Sequence, residues 1–465
     1  MTLMHRTTCP AVSVLLIQCL LLLMPAPGAM STETSPQRPN IIFIFADDWG
    51  WGDLSCHGNE HYPTPNLDRM AAGGIDFHQF TVANPVCSPS RTAVMTGQYP
   101  ARHSVHRHFA SIKHHQRNRM PDWLDPQAVM LPRLLQQAGY RTAHFGKWHL
   151  TNRDISDAPE PPAYGYDEAR IFNGPGPQLG PGPAETVGAT IDFITRNREQ
   201  SFFVNLWLHE THTPHYPAEE FMQRFGHLPE GQREYASVIA EADEWIGRLL
   251  TAIDELSLTD NTLIIFSSDN GPENTGTRRE MPDAATGPGL GHFYSRGETA
   301  GLRGRKRWLA EGGIRAPFLV YWPGQVPAER VDTETVLNAV DLLPSLCALA
   351  DAPLPADYQP DGENMLPALL GKTHQRTRPI FYAWLSGRRD DGNWMTHGVR
   401  DGRWKLHAAD DRYELFDIFA DRSETTDLAA EHPAVVARLA ELLSEWRASL
   451  PDAAPSHCFS AAREQ

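Results

Sequence analysis

The chain has 465 residues, of which 57 are acidic and 41 basic, and its formal net charge is −16. This length exceeds what one hydrophobic core usually serves, so we expect two packed units. The content of 41% hydrophobic and 21% charged residues is ordinary for a globular protein and excludes a disordered or coiled-coil chain. The negative net charge argues against a nucleic acid or an anionic glycan as partner, because like charges repel.

The first 28 residues have the pattern of a secretory signal peptide. Met1–Pro10 carries no acidic side chain, and an apolar segment follows over Ala11–Met24. Residues 26–28 (APG) then match a small-x-small cleavage site. The alternative is a membrane anchor, but an apolar run of about fourteen residues is shorter than the roughly 20 that span a bilayer. We therefore predict a signal peptide at 1–28, export to the periplasm or the medium, and no stable membrane anchor.

Apolar segments alternate with amphipathic helical segments over most of the chain. The predicted buried strands are Asn40–Phe45, Tyr140–Phe145, Phe202–Leu208, Leu263–Ser267 and Pro317–Tyr321. The predicted helices include Val129–Ala138, Glu185–Arg196, Glu234–Leu256 and Ala339–Ala350. Continuous apolar strands separated by helices are typical of a mainly parallel sheet with helices on both faces. We therefore predict an α/β catalytic domain over residues 38–372.

Residues 373–465 follow a different pattern. Short strand-like segments occur in quick succession at Ile380–Trp384, Met395–Arg400, Trp404–His407 and Tyr413–Phe416. A helical segment, Pro433–Ala448, comes last. Short connections of this kind are typical of antiparallel strands. The pattern predicts a smaller C-terminal α+β subdomain with an antiparallel sheet and one helix.

Polar side chains follow the carboxyl ends of the predicted strands. In chain order they are Asp47 and Asp48, Lys147 and His149, His212, and Asp269 with Asn270. In open α/β sheets, ligands bind beyond the carboxyl ends of the strands. Carboxylate and amide oxygens suit Ca²⁺ or Mg²⁺ rather than Zn²⁺. A turn or cap role is the alternative for one aspartate pair, but a second pair at an equivalent strand end favours a cation site.

Cys87 precedes a predicted helix over Ser90–Thr96 that ends at Gly97. A helix N-terminus lowers the pKa of a thiol and favours an anionic ligand. These residues alone make Cys87 a candidate nucleophile, while a buried apolar cysteine or a disulfide partner is the alternative. The remaining cysteines after the signal peptide are Cys56, Cys347 and Cys458, and their spacing does not assign pairs.

The segment 87–91, Cys-Ser-Pro-Ser-Arg, matches the C-x-P-x-R signature, and through it the chain resembles the type I sulfatases, in which this cysteine is oxidised to formylglycine. Further family blocks follow in the family's order over residues 39–325, and two C-terminal pieces resemble the family's second domain. The blocks are 92–97 (TAVMTG), 146–149 (GKWH), 212–214 (HTP), 268–271 (SDNG), 302–306 (LRGRK) and 311–313 (EGG), and the C-terminal pieces are 404–406 (WKL) and 414–417 (ELFD). The resemblance is nearest to the arylsulfatase and N-acetylgalactosamine-6-sulfatase-like branch. It implies an alkaline-phosphatase-like fold.

The resemblance implies a cation site and a modified nucleophile. Formylglycine made from Cys87 by a formylglycine-generating enzyme would hydrate to a geminal diol, and one hydroxyl would attack the sulfur of a sulfate ester. The second hydroxyl would allow sulfate to be expelled without another attack on sulfur. A divalent cation, with Ca²⁺ favoured over Mg²⁺, would bind the diol and the sulfate oxygens. Its ligands would be Asp47, Asp48, Cys87 as formylglycine, Asp269 and Asn270.

The resemblance also implies roles for five basic side chains. Arg91 and Lys147 would orient and acidify the diol. His212 and Lys306 would contact the sulfate and assist departure of the leaving group, and His149 would help to release sulfate from the enzyme. These roles agree with the chemistry, because hydrolysis of a sulfate ester gathers negative charge that cations and preorganised donors stabilise.

Each of these assignments has an alternative. Lys147 is otherwise a surface base, and His149 is otherwise a hydrogen-bonded structural histidine. His209 is the alternative to His212. Lys306 has basic neighbours that a shift in register would put in its place, namely Arg303, Arg305 and Arg307.

The distribution of charge qualifies the first inference about partners. Phe77–Pro121 contains no Asp or Glu in 45 residues, and a second basic group surrounds Lys306. The basic residues of the first stretch include Arg91, Arg102, Arg107, Lys113, Arg117, Arg119, His103, His106, His108, His114 and His115, and the second group comprises Arg296, Arg303, Arg305, Lys306 and Arg307. A solvated basic face is the alternative. Because both stretches flank predicted site residues, we predict a positive entrance for an anionic substrate.

The predicted function is hydrolysis of sulfate esters, with a sulfated carbohydrate as the substrate class. Within enzymes, the alternatives are an arylsulfatase of small substrates and a phosphonate or phosphodiester hydrolase of the same superfamily. Outside enzymes, the alternative is a protein that binds sulfated glycans without cleaving them. No nucleic acid is expected as a partner. The sugar and the position of its sulfate do not follow from these motifs.

Overall fold

The computed structural model describes residues 38–172, 182–213, 215–273, 297–385 and 393–464. Arg38–Gln465 form one compact unit. The predicted signal peptide, Pro214 of the 212–214 block and Arg296 of the second basic group lie outside the described residues. None of the described helices combines the length and the apolar composition needed to cross a bilayer.

The predicted helices and strands are present close to their predicted bounds, and the structure has further short elements that the sequence did not predict. The strands are β1 Asn40–Ala46, β2 Gly74–Phe77, β3 Phe80–Thr81, β4 Arg141–Lys147, β5 Glu168–Phe172, β6 Phe202–Trp207, β7 Thr262–Ser268, β8 Phe318–Tyr321, β9 Arg330–Asp332, β10 Leu337–Asn338, β11 Ile380–Ala383, β12 His397–Asp401, β13 Trp404–Ala409 and β14 Arg412–Asp417. The helices are α1 Pro65–Ala72, α2 Cys87–Thr96, α3 Ile112–Arg117, α4 Leu131–Gln137, α5 Pro183–Asn197, α6 Glu219–Arg224, α7 Glu230–Glu255, α8 Glu311–Ile314, α9 Leu342–Leu349, α10 Leu366–Leu369 and α11 Pro433–Ala448.

The main sheet has the strand order β5-β4-β6-β1-β7-β8-β2-β9. β1 pairs in parallel with β6 and β7, and β4 pairs in parallel with β5 and β6. β8 runs antiparallel to both of its neighbours, β7 and β2. The predicted mixed, mainly parallel sheet is therefore confirmed, and the carboxyl ends of β4, β6, β1 and β7 lie side by side along one edge.

The central strand β1 is buried on both faces. Ile41, Phe43 and Phe45 belong to one apolar cluster, while Ile42 and Ile44 belong to another on the opposite face. Successive side chains of a strand point to opposite faces, so an uninterrupted apolar strand needs cover on both sides. This is why the sequence of β1 is continuously hydrophobic, and it makes β1 a rigid base for the residues that follow it.

A second sheet has the antiparallel order β11-β12-β13-β14, and α11 follows it as predicted. Its buried residues Tyr382, Leu406 and Leu415 belong to the same apolar cluster as one face of β1. The hydroxyls of Tyr382 and Thr81 are 2.9 Å apart, which adds a polar contact to the packing. The domain boundary between residues 372 and 373 stays a prediction.

Candidate active site

The adjacent parallel strands β4, β6, β1 and β7 carry seven predicted site residues at or beyond their carboxyl ends, while Cys87 and Arg91 belong to α2 and Lys306 precedes α8. The seven are Asp47, Asp48, Lys147, His149, His212, Asp269 and Asn270. Asp48 lies in the turn after β1 with a φ of 64°, in the left-handed region that few non-glycine residues adopt. Its backbone N–H donates to Asp269 Oδ1 over 3.2 Å, which links the turns after β1 and β7. The turn therefore places two consecutive carboxylates, Asp47 and Asp48, on the same side of the sheet edge.

The carboxylates and Cys87 form a compact group of potential metal ligands. Ligand atoms of Asp47, Asp48, Cys87 and Asp269 all lie within 4.8 Å of one another. Asn270 Nδ2 donates to Asp48 Oδ1 over 2.7 Å. Among the described residues, no hydrogen-bond donor reaches the buried atoms Asp47 Oδ1 and Asn270 Oδ1. Buried oxygens without a donor are costly, so this set fits a hard divalent cation as predicted from the sequence.

Each aspartate of this group also contacts a basic side chain. Lys147 forms an ion pair with Asp47. Arg91 Nη2 donates to Asp269 Oδ2 over 2.7 Å. The third pair, between Lys306 Nζ and Asp48 Oδ2, spans 2.6 Å. The structure thus brings all three predicted cations to the predicted metal ligands.

The pKa values of the three carboxylates are shifted in different directions. Burial, with the charge of Asp47 in addition, raises the pKa of Asp269 to about 7, although Arg91 opposes the shift. Burial also raises the pKa of Asp48, despite the charge of Lys306. Burial acts in the same direction on Asp47, but the charge of Lys147 leads the interactions that hold its pKa well below the usual value. The pocket therefore cannot easily hold three ionised carboxylates without further positive charge.

Cys87 is the first residue of α2 and is only 2% exposed. Burial raises the pKa of its thiol to about 12, although Lys147 and Lys306 act to lower it. The helix also begins at Cys87 rather than at Ser90 as predicted. An unmodified Cys87 is therefore a protonated thiol at neutral pH. The thiolate nucleophile inferred from the helix N-terminus is disfavoured, because desolvation outweighs the helix dipole and the nearby cations.

A cavity of about 350 Å³ lies over this group. It is lined by the predicted residues Cys87, Lys147, His149, His212 and Lys306. Further lining residues are Val86, His108, Phe109, Ala110, Asn152, His209 and Arg307. Asn152 was not predicted, although its position three residues after His149 in the same loop could have indicated that it lies near the site. The cavity is open to a ligand that brings negative charge to the lysines.

His209 and His212 both belong to the site. Their rings are stacked, with centroids 4.9 Å apart. His209 Nδ1 lies 2.7 Å from Asp47 Oδ2, whereas His212 Nε2 lies 3.9 Å from Asp48 Oδ2. Burial lowers the pKa of His209 to about 4 and that of His212 well below its usual value. His209 is thus fixed on an aspartate, and His212 is the imidazole more available to a ligand.

His149 lines the cavity from the loop after β4. Its φ is 51°, and its Nε2 lies 3.0 Å from the carbonyl oxygen of Phe109. Burial, together with the charge of Lys147, lowers the pKa of His149 well below its usual value. Burial likewise lowers the pKa of His108, another lining residue, to about 3. These histidines are neutral at neutral pH and therefore available as proton acceptors.

The basic stretches contribute less free charge than their sequence suggests. Arg303 binds Glu414 on β14 over 2.9 Å, so it does not take the place of Lys306 at Asp48. Arg307 binds Glu273 over 2.7 Å, and Glu273 also lies 3.5 Å from Lys306. Glu273 is buried beside the site and was not predicted, although it lies three residues after Asn270.

The sequence is similar to families that have been characterised. A model of the sulfatase family matches residues 39–352. The model described as N-sulphoglucosamine sulphohydrolase, C-terminal, matches residues 304–449. The second match begins inside the first, so together they extend from the beginning of the main sheet into the final helix α11.

Individual proteins are similar over most of the chain. N-acetylgalactosamine-6-sulfatase of Canis lupus familiaris is 33% identical over 405 residues, which cover 78% of this chain and 72% of that protein. Arylsulfatase A of Homo sapiens is 33% identical over 391 residues, which cover 74% and 70%. The solved structure of Ps i-CgsB in complex with k-i-k-neocarrahexaose matches with a TM-score of 0.76 at 26% identity, covering 92% of this chain and 96% of that chain.

Proposed function

Since this chain belongs to the sulfatase family and is a sulfuric ester hydrolase, we propose that it cleaves sulfate esters of a sulfated carbohydrate in the cavity that Cys87 lines. The resemblance to type I sulfatases and the alkaline-phosphatase-like fold class are confirmed. The observation that carries the proposal is the position of Cys87, whose sulfur lies within 4.8 Å of oxygens of Asp47, Asp48 and Asp269.

A divalent cation and a formylglycine at position 87 would complete the proposed site, and sulfatases generally use both. Asp47, Asp48, Asp269 and Asn270 would hold a divalent cation. Their oxygen ligands suit Ca²⁺ or Mg²⁺ rather than Zn²⁺, and the family resemblance favours Ca²⁺. That cation would supply positive charge to the sulfate oxygens. Cys87, oxidised by a formylglycine-generating enzyme, would supply a hydrated aldehyde as the nucleophile. The pKa of about 12 supports this, since the unmodified thiol is too weakly ionised to attack.

The surrounding side chains would position the reactants. Lys147, paired with Asp47, and Arg91, paired with Asp269, would orient the reacting group at position 87. Lys306 lines the cavity from the side of Asp48 and would bind a sulfate oxygen. Because the attack gathers charge on oxygen, such fixed cations stabilise the transition state more than the ground state.

Two neutral histidines would handle protons. His212 lines the cavity with Lys306 and would contact the sulfate. Because its Nδ1 lies 2.6 Å from the carbonyl oxygen of Thr213, its Nε2 would have to gain a proton before it could donate a hydrogen bond to the leaving oxygen. His149 would accept a proton from the remaining hydroxyl at position 87 and so help to release sulfate. The lowered pKa of His149 supports this role, because a general base has to be unprotonated before it acts.

The substrate class rests on relatives and on charge. N-acetylgalactosamine-6-sulfatase is the name of a 33% identical relative, and Ps i-CgsB was solved with k-i-k-neocarrahexaose. The acid-free stretch Phe77–Pro121 contributes Cys87 and His108 to the cavity. Arylsulfatase action on small substrates and hydrolysis of phosphonates or phosphodiesters are the alternatives. Comparing kcat/KM for a sulfated oligosaccharide, an aryl sulfate and a phosphodiester under one set of conditions separates all three.

Mass spectrometry of the peptide that contains position 87, prepared from the native source, tests the nucleophile. We expect the mass of the aldehyde or its hydrate, whereas an unmodified cysteine would contradict the proposal. Cys87→Ala should lower kcat/KM by on the order of 10⁴-fold or more. Cys347→Ala is the matched control, because Cys347 is a buried free thiol in α9. Binding of sulfated glycans without turnover by the modified, metal-loaded protein would support the non-enzymatic alternative.

The cellular location is a separate part of the proposal. The pattern of residues 1–28 supports export to the periplasm or the medium. Determination of the N-terminus of the mature protein by mass spectrometry tests it. A mature chain that begins just after Gly28 is expected, and one that retains Met1 would contradict export through a cleaved signal peptide.

A further inference from the structure

A second group of metal-ligating side chains shares no residue with the candidate active site. Cys56 and His57 lie in a short 3₁₀ turn at Ser55–His57, while Asp76 belongs to β2 and His78 follows it. We call these four residues the Cys56 cluster. Ligand atoms of Cys56, His57 and Asp76 lie within 4.8 Å of one another. His78 is outside this group of three but contacts it, with Nε2 3.1 Å from Asp76 Oδ2.

Backbone geometry fixes the positions of these side chains. Gly58 closes the 3₁₀ turn with a φ of 96°, and its N–H donates to the carbonyl of Ser55 over 3.0 Å. On the other side, Asp76 is the third residue of β2, and His78 is the first residue of the turn that follows the strand. Phe77 points to the face opposite Asp76 and packs in the apolar core. The cluster therefore joins the loop after β1 to strand β2.

The hydrogen bonds of His57 do not balance for a neutral ring. Its Nδ1 lies 2.6 Å from the carbonyl oxygen of Trp51, and its Nε2 lies 2.9 Å from Asp76 Oδ2. Both oxygens only accept hydrogen bonds, whereas a neutral imidazole has one N–H. The His57 side chain is fully buried. Either it carries a buried positive charge, or a metal ion takes the place of the proton between Nε2 and Asp76.

The second arrangement matches known metal chemistry in several respects. A histidine that binds zinc usually donates its other N–H to a carbonyl or carboxylate, and the carbonyl of Trp51 offers such a partner. Thiolate, imidazole and carboxylate are the ligands that Zn²⁺ accepts together in tetrahedral sites.

We propose that Cys56, His57, Asp76 and His78 bind one Zn²⁺ ion in a structural site that is separate from the catalytic cation. Four protein ligands leave no open coordination position, which is the mark of structural rather than catalytic zinc. Binding would release the proton of the Cys56 thiol. Cys56 is exposed and His78 is partly exposed, which provides a path for the ion. The site would brace the loop that begins with Asp47 and Asp48.

The test uses the full chain with Cys87→Ala, so that the active-site sulfur cannot bind the probe. The protein is stripped with a chelator and titrated with Zn²⁺ in the presence of excess Ca²⁺. We expect one tightly bound Zn²⁺ per chain by elemental analysis after desalting, with release of protons. Partners outside the first coordination shell already contribute about 10- to 100-fold in affinity. Cys56→Ser and His78→Ala should therefore each weaken binding by at least that factor, while Cys347→Ala should leave it unchanged.

Two further measurements keep the result independent of folding and of activity. Loading with Co²⁺ should give a thiolate-to-metal charge-transfer band that disappears in Cys56→Ser. Zn²⁺ should raise the melting temperature of the parent chain but not that of Cys56→Ser, with both chains melting alike without metal. The proposal fails if the parent chain retains no zinc, or if Cys56→Ser and His78→Ala bind zinc as tightly as the parent.

Discussion

Two clusters of buried charged residues in this chain differ in whether their buried oxygens have hydrogen-bond or ion-pair partners. The first, the site cluster, comprises Asp47, Asp48, Asp269, Arg91, Lys147 and Lys306 at the edge of the main sheet. The second, the inter-sheet cluster, comprises Glu311 and Arg315 at the two ends of α8, Lys405 and His407 on β13, and Glu424. Both are almost completely shielded from solvent.

In the inter-sheet cluster every carboxylate oxygen has a partner. Glu311 binds Lys405 through one oxygen, over 2.7 Å, and Arg315 through the other. Glu424 Oε1 binds both Lys405 and His407, and its Oε2 accepts the backbone N–H of Glu311 over 2.8 Å. Burial acts to raise the pKa of Glu311 and of Glu424, but Lys405 leads the charges that lower both. These acids are fully compensated without any ligand.

The site cluster is not compensated in this way. Asp47 Oδ1 and Asn270 Oδ1 receive no hydrogen bond from any described residue, and the pKa of Asp269 is raised by burial to about 7. Buried charge alone therefore does not indicate function, since both clusters have it. What distinguishes the site is the presence of buried oxygens that receive no hydrogen bond from a described residue, beside a cavity, where a cation can bind them.

The largest expected effect comes from neutralising an acid of the site cluster. Asp269→Asn keeps the size of the side chain but removes a charged cation ligand, so kcat/KM should fall by on the order of 10³-fold. In the cation-free protein the free energy of unfolding should rise, because repulsion with Asp47 is relieved. Steady-state kinetics and urea denaturation in chelator measure both. Wild-type turnover by this variant would show that Asp269 holds no essential cation.

The equivalent change in the inter-sheet cluster should have the opposite consequence. Glu311→Gln leaves Lys405 and Arg315 without their shared acid, and breaking a buried ion pair usually costs about 3–5 kcal/mol. The free energy of unfolding should fall by about that amount, while kcat/KM of the folded protein at low temperature should stay within a few-fold of wild type. A loss of activity without a loss of stability would place Glu311 in the catalytic site.

The pH dependence of the same two variants should differ in sign. The lowered pKa of Glu311 gives stability that is present above its unfolded value of about 4.3 and is lost as the pH falls. The advantage of wild type over Glu311→Gln should therefore shrink below that pH, by up to about 1.4 kcal/mol per pH unit. Urea denaturation of both chains between pH 3 and 7 measures the difference, and a constant advantage would contradict it.

The raised pKa of Asp269 acts the other way. Its folded value of about 7 exceeds the unfolded value of about 3.9, so the ionised carboxylate costs stability increasingly between these values. Without divalent cation, the stability gained by Asp269→Asn over wild type should grow as the pH rises from about 4 to 7. Added Ca²⁺ should abolish that gain by stabilising wild type alone. A gain that is unaffected by Ca²⁺ would separate Asp269 from cation binding.

The smallest effect concerns the entrance to the site cluster. Replacing Arg107 and Arg117 by Glu should raise KM for a sulfated oligosaccharide by roughly 10-fold and KM for a small aryl sulfate much less, because only the longer anion reaches these positions. Arg198→Glu is the matched control, since Arg198 precedes β6 at the opposite edge of the sheet and is exposed. Equal changes for both substrates would remove the argument for an oligosaccharide.

Much of the fold and of the site could be predicted because the signals are local. The bounds of β1 and α11 follow from runs of apolar residues and from their spacing. Asp47, Asp48, Asp269 and the other predicted site residues follow from their place after strands and from family motifs. Short strands such as β5 and β9 were missed, because three to five residues carry too little periodicity to be distinguished from loop.

Other properties depend on contacts between residues far apart in the chain. The sequence placed Arg303 and Arg307 in one basic group, yet each is neutralised by an acid that only folding brings near. The sequence contained no motif that connects Cys56 with Asp76, and only the folded chain brings Asp76 on β2 close to Cys56. It also suggested a lowered pKa for the thiol of Cys87, whereas burial raises it.

The sequence by itself determined the family, the class of fold and the residues that meet at the sheet edge. It could do so because hydrophobic periodicity and short motifs depend only on residues that are close together in the chain. Net charge could not describe the partner, since −16 is a sum over a chain in which 45 consecutive residues contain no acid. Only the tertiary structure decided which charges are compensated. Pairing depends on distances of a few ångströms between residues more than 100 positions apart, as between Lys306 and Asp48.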